Sequence, residues 1–178
     1  NDWFGGYPLY YFYFPLPAII TYFLNIVFSF GIAFKIMVVM STILVVYSIE
    51  KLMRKTSNQI SIYGATAGLF YVFTESFTIY GGNLASTLAG QFSFAYSLAF
   101  ANLSIFYLIK SENNFRFTIS SIFLALCLLS HLIPFIIYSP IFAFYWLSKK
   151  QNLNQRVLSI FIFLALVSRW SVSLLMNL

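Results

Sequence analysis

Ile36-Met-Val-Val-Met-Ser-Thr-Ile-Leu-Val-Val-Tyr47 contains no charged residue and no helix breaker, and Phe92-Ser-Phe-Ala-Tyr-Ser-Leu-Ala-Phe-Ala-Asn-Leu-Ser-Ile-Phe-Tyr-Leu-Ile109 repeats the pattern over a longer run. Soluble strands and barrel strands alternate apolar with polar residues, and a membrane barrel does so over about ten positions. These runs do not alternate. Working outward, 61% of the chain is hydrophobic, 8% is charged, and the mean hydropathy is +0.86. Soluble domains carry about 25% charged residues, so this chain lacks the polar surface to enclose a water-soluble core. In lipid no water satisfies the backbone, which leaves helices as the spanning element. The sequence therefore predicts an all-α, polytopic transmembrane helical bundle.

The charges set the expected topology. Of ten Lys and Arg residues, eight fall in three short connectors: Lys51, Arg54 and Lys55; Lys110 and Arg116; Lys149, Lys150 and Arg156. The links between them, around residues 81–90 and 131–134, carry no Lys, Arg, Asp or Glu. The positive-inside rule makes the basic connectors cytoplasmic. The net charge of +6 is thus read as topology, not as nucleic-acid binding.

About 20 helical residues cross the hydrocarbon layer. On that measure residues 32–50 run inwards, 58–79 return, and 91–109 run in again. The stretch 117–148 is too long for one helix, and His131-Leu-Ile-Pro134 interrupts it, since proline disfavours helix across its own position. A hairpin of two short helices is expected there, with a kink at Pro140. A last span starts near Val157 and reaches the chain end, for about six spans in all. Residues 1–30 form a separate outer-face region. Trp3, Tyr7, Tyr10, Tyr11 and Tyr13 with three prolines suit the headgroup level, and residues 16–30 are expected to form a juxtamembrane helix. Residues 31–178 form the single membrane domain. The chain begins at Asn1 without Met or signal peptide and ends inside a hydrophobic run, so it reads as a fragment incomplete at both ends.

Gly64-Ala-Thr-Ala-Gly68 has the small-xxx-small spacing that lets helix backbones approach closely. The Asn102-Leu-Ser104 sequon lies inside an expected span, so glycosylation is discounted there. The single Cys127 excludes a disulfide framework. No His, Cys or carboxylate cluster has zinc-ligand spacing, and no nucleophile elbow or serine triad is present.

Polar residues in lipid are costly, so the few that exist are informative. Asp2, Lys35, Glu75, Asn83, Gln91, His131 and Arg169 gather towards the outer side. Asp2 has two readings, a general base or cation ligand and a solvated loop aspartate. Glu75 and Lys35 fall near the outer ends of neighbouring spans, as an ion pair or as parts of a site. Gly81-Gly-Asn-Leu-Ala-Ser-Thr-Leu-Ala-Gly90 either presents backbone N–H groups to phosphate or forms a compact turn. His131 is either a proton shuttle or phosphate contact, or a hydrogen-bonded structural residue. Arg169 either faces a cavity or marks an early end to the last span.

Trp3-Phe-Gly-Gly-Tyr-Pro8 and Phe12-Tyr-Phe-Pro-Leu-Pro17 resemble the first outer loop of GT-C-type membrane glycosyltransferases, and Gly31-Ile-Ala-Phe-Lys35 follows the same course. Residues 81–94 and Ser130-His-Leu-Ile-Pro134 are similar to motifs of the 6-pyruvoyl-tetrahydropterin synthase-related membrane proteins, neighbours of the YfhO-like proteins. The resemblance covers most of residues 1–148. It implies a GT-C-like fold and transfer of a hexosyl or pentosyl group from a polyprenyl-phosphate donor to a glycan or lipid acceptor. That would occur on the outer face of a prokaryotic plasma membrane. In such enzymes an outer-loop carboxylate is the base. The resemblance places the principal base upstream of Asn1 and leaves Asp2 as a secondary one. It implies that Lys35, Glu75, Asn83, Gln91 and His131 contact substrate. Gln91 stands where the pattern has Glu. The pterin-synthase label finds no zinc-binding histidine set here. No cofactor is required by these residues, and a divalent cation at Asp2 is the one left open. A transporter or flippase, which commonly carries inverted repeats, and a non-catalytic assembly subunit are the rival readings.

Overall fold

The computed structural model describes residues 14–54, 60–74, 81–111 and 114–176. Among them there are seven helices and no strand: α1 (Leu16–Asn25), α2 (Phe30–Arg54), α3 (Ile60–Phe73), α4 (Phe92–Ile109), α5 (Asn114–Ser130), α6 (Leu132–Ser148) and α7 (Leu153–Met176), with a short broken segment over residues 84–91 before α4. Three stretches are long and apolar enough to cross a membrane: Phe30–Arg54, Leu84–Ile109 and Leu153–Val172.

α2 shows how such a helix chooses its face. Its buried residues are Ala33, Met37, Ser41, Val45 and Ser48, a stripe at helical spacing made mostly of small side chains. The opposite face exposes Ile32, Val39, Ile43 and Tyr47. A helix apolar on all sides suits a lipid exterior, so hydrophobicity does not select the inner face. Small size and hydrogen bonding do.

α4 is the hub. Of its most apolar window 67% is buried, against 28% for α2 and 22% for α7. It packs against α2, α5 and α6, while α3 lies on α2 and α7 on α5. Tyr96, fully buried, donates its hydroxyl to the Met37 carbonyl at 2.8 Å. Ser97 Oγ lies 2.9 Å from the carbonyls of both Cys127 and His131. Asn102 donates to Ser48 Oγ at 3.2 Å and accepts from the Tyr138 hydroxyl at 2.8 Å. These bonds tie α4 to α2, α5 and α6.

The interruption at residues 131–134 forms the expected hairpin. α5 ends at Ser130, extended His131 (φ −168°, ψ 141°) is the whole connection, and α6 starts at Leu132. The far ends of both helices meet again. Arg116 reaches the Lys110 carbonyl at 3.4 Å, and Lys149 Nζ reaches the Ile109 carbonyl at 2.7 Å. Pro140 sits inside α6, where the helix continues without a break. Its missing N–H leaves the Ile136 carbonyl without its usual donor, and Ser139 Oγ lies 3.4 Å from that oxygen.

Several boundaries differ from expectation; the return span expected over 58–79 forms a helix only over Ile60–Phe73, and Thr74 lies outside it. The juxtamembrane helix stops at Asn25, because the N–H groups of Ile26, Val27 and Phe28 turn back onto the Phe23 and Leu24 carbonyls. α2 then begins at Phe30. The last helix begins at Leu153, four residues before Val157, because Gln155 donates to the Asn114 carbonyl at 2.9 Å and anchors an earlier first turn. Arg169 is exposed, and α7 continues past it to Met176. The bundle has a basic end, holding Lys51, Arg54, Lys110, Arg116, Lys149 and Arg156, and an opposite end holding His131, Lys35 and residues 81–91.

Candidate functional site

The end opposite the basic connectors is shaped by a chain reversal between α3 and α4. Gly81 (φ 82°) and Gly82 (φ 89°) adopt left-handed conformations that side chains disfavour. Both are buried. A Cβ at Gly81 would come within 2.6 Å of the Phe94 ring, and one at Gly82 would overlap the Tyr71 hydroxyl. Tyr71 in turn donates to the Gly81 carbonyl at 3.3 Å. The glycines are thus required twice, by angle and by room.

Asn83 staples this turn. It is 4% exposed. Its Oδ1 accepts from the Ser86 backbone N–H at 2.8 Å and from the Ser86 hydroxyl at 2.6 Å, and its Nδ2 donates to the Thr74 carbonyl at 2.9 Å. Thr87 returns both its N–H and its hydroxyl to the Asn83 carbonyl. Of the two readings of this glycine-rich stretch, the geometry is that of the compact turn. Asn83 spends Oδ1 on Ser86 and an amide N–H on Thr74, and so shapes this end of the bundle.

Gly90 (φ 106°, ψ 1°) breaks the helix just before α4. Unlike the other two glycines it has open space around it, and only its backbone angle demands glycine. Gln91 follows it, exposed, with Oε1 turned towards Gly81. The break opens two crevices that share Phe34, Gly90 and Phe92. The Phe34 and Phe92 rings form an edge-to-face pair at 5.6 Å between them. One crevice, about 440 Å³, runs under α1 past Pro17, Thr21 and Met37. The other, about 410 Å³, is walled by Val38, Val39, Thr87 and Leu88, and Lys35 supplies its one charged group.

His131 sits nearby as the N-cap of α6. Its Nδ1 accepts from the Ile133 N–H at 3.2 Å, and its ring lies 5.2 Å from Phe14 and 5.5 Å from Phe94. Phe14 also meets Trp170 at 5.3 Å, so the start of the described chain bridges the α5–α6 turn and α7. Burial among these rings pushes the imidazole pKa below its ordinary 6.5, because the charged form loses solvation.

The structure therefore gathers Lys35, Gln91 and His131 at one end and gives Asn83 a structural place beneath them. Asp2 and Glu75 lie outside the described residues. Among the described residues no three His, Cys, Asp or Glu side chains could hold a metal ion. The Phe34–Phe92 pair and Tyr71 were not singled out by sequence. An aromatic among 22 Phe and 13 Tyr carries no signal until its neighbours are known.

No protein family, curated protein or solved structure matches this chain. The site must be read from its own chemistry.

Proposed function

We propose that this chain is the lipid-binding part of an integral membrane, GT-C-like glycosyltransferase that spans the bilayer about six times with its basic connectors cytoplasmic. It binds a polyprenyl-phosphate-linked sugar at the outward end. The observation that carries the reading is Lys35, exposed and the one charged group lining a mostly apolar crevice. A lysine one and a half turns into a spanning helix is costly in lipid unless it meets an anion or reaches the interface. A lipid phosphate satisfies the first need. The walls formed by Val38, Val39 and Leu88 suit an isoprenoid chain leaving that phosphate towards the bilayer interior. The break at Gly90 supports the reading by keeping α4 from filling the space.

Within this proposal Gln91 and His131 border the sugar rather than perform proton transfer. His131 spends Nδ1 on the α6 cap, which leaves Nε2 for a substrate hydroxyl. Asp2, in the outer region, would serve as a secondary base or cation ligand, with the acceptor being a glycan or lipid hydroxyl.

Binding of polyprenyl phosphate to the detergent-solubilised chain tests this directly. Lys35→Gln is expected to weaken binding about tenfold, the loss of one charge-assisted contact, while Lys35→Arg retains it. Equal binding by wild type and Lys35→Gln removes the proposal. Transfer of labelled sugar from the same lipid tests catalysis, and movement of the lipid across vesicles without transfer would establish a flippase instead.

A further inference from the structure

The basic end does more than mark topology. Cations from two separate connectors and the start of α7 converge there on the C-termini of α4 and α6. Lys149 Nζ donates to the Ile109 carbonyl at 2.7 Å, closing α4. Arg156 closes α6 through the carbonyls of Trp146 at 3.2 Å, Leu147 at 3.3 Å and Lys149 at 2.6 Å, and stacks 4.7 Å over the Trp146 ring. Lys110 Nζ lies 4.9 Å over the Phe106 ring, and Lys150 is exposed. Cations at helix C-termini are favourable, which explains why each stands where it does.

It does not explain their number. Along the sequence these connectors hold five cations, Lys110, Arg116, Lys149, Lys150 and Arg156, and one acid, Glu112, an excess of four positive charges. A lysine ammonium has three donors, and capping one carbonyl leaves Lys149 two. Large apolar side chains stand exposed beside the cations: Leu147 at 67%, Leu153 at 74% and Val157 at 57%. A soluble anion has no use for those. Phosphate joined to an acyl chain matches both halves, and rings such as Phe106 and Trp146 beside the cations belong at headgroup depth.

We propose that Lys110, Lys149 and Lys150, at the joined ends of α4 and α6, bind the phosphate of an anionic phospholipid whose acyl chain runs along Leu147, Leu153 and Val157. This rests on membrane placement alone and not on the Lys35 crevice at the other end.

The test is the whole chain in nanodiscs of phosphatidylcholine with and without phosphatidylglycerol, read by native mass spectrometry of retained lipid and by the unfolding midpoint. Retention of phosphatidylglycerol over phosphatidylcholine is expected, with a rise in midpoint. Lys110→Gln with Lys150→Gln, neither of whose side chains closes a helix, should cut retention several-fold, whereas Lys51→Gln should not. Equal retention of the two lipids, or unchanged retention in the double variant, overturns the proposal. An equal midpoint rise with inorganic phosphate alone overturns it in favour of a free-anion site. A chain that stays soluble without lipid overturns the membrane placement itself and this proposal with it.

Discussion

Asn102 in α4 donates to the Ser48 hydroxyl of α2 at 3.2 Å and accepts from the Tyr138 hydroxyl of α6 at 2.8 Å. Ser48 donates its own hydroxyl hydrogen bond to the Val45 carbonyl at 2.8 Å. One side chain, 3% exposed, thus joins three helices. In lipid, apolar packing alone does not distinguish the correct partner from the surrounding tails, and polar clasps add specificity at modest strength. Asn102→Ala should destabilise the bundle by about 1–2 kcal/mol, because it also strands the Tyr138 hydroxyl. Ser48→Ala should cost less, about 0.6 kcal/mol. A double-mutant cycle over Asn102 and Ser48, by thermal or denaturant unfolding in detergent, should show coupling; strict additivity would mean the bond carries no net stability.

The three left-handed glycines separate angle from room. Gly90→Ala meets only the strain of a positive φ, about 1–2 kcal/mol, since nothing lies near the added methyl. Gly82→Ala meets the same strain and the Tyr71 hydroxyl as well, and should cost clearly more. Gly82→Ala combined with Tyr71→Phe should recover part of the difference, while Gly90→Asn should cost less than Gly90→Ala because asparagine is less averse to positive φ. Equal losses at Gly82 and Gly90 would show that the turn is not packed against Tyr71.

The apolar runs made the helices legible, and the reason is physical: a run without charge near spanning length has few other places to go. The boundary at His131 was legible because Pro134, which fits the first turn of a new helix, disfavours one running on through Ser130. The stop at Asn25 was not, since no proline or glycine marks it and the turn is held by backbone bonds alone. At the site, Lys35 was found as a rare charge in an apolar run. Asn83 was singled out by its rarity and expected to contact substrate; its bonds to Thr74 and Ser86 are tertiary and local facts that spacing does not encode. Phe34 and Phe92 were invisible for the opposite reason, as two rings among many.

Gly64 and Gly68 place α3 on α2 at backbone distance. A Cβ at Gly68 would stand 3.0 Å from Val46 Cα and 3.3 Å from its carbonyl oxygen, and one at Gly64 would stand 3.1 Å from Glu50 Cα. Backbone atoms cannot rotate away as side chains do. Gly68→Leu should therefore part the two helices, and Gly68→Ala should weaken them by about 1 kcal/mol or more. Ala67→Leu, one position away on the exposed side, should be near neutral. Cysteine cross-linking between α2 and α3 would report the separation, and undiminished cross-linking in Gly68→Leu would rule out the close approach.

His131 gives the end opposite the basic connectors a pH dependence whose sign is fixed by its surroundings. Phe14 and Phe94 remove solvent from the ring, so the folded state holds the imidazole pKa below 6.5. The unfolded chain then binds more protons than the folded one between the two pKa values, and stability rises with pH across that window. The contribution is complete above about 6.5 and is lost as pH falls through the lowered folded value. Protonation also removes Nδ1 as the acceptor for the Ile133 N–H, so the α6 cap fails in the same range. His131→Asn, which can still accept that bond, should keep stability near neutral pH and flatten the slope below about pH 6.5. His131→Ala should flatten it too and lie about 1 kcal/mol below His131→Asn throughout. Unfolding midpoints of the three proteins across that range decide the matter: a wild-type slope that survives in His131→Asn would place the titrating group elsewhere.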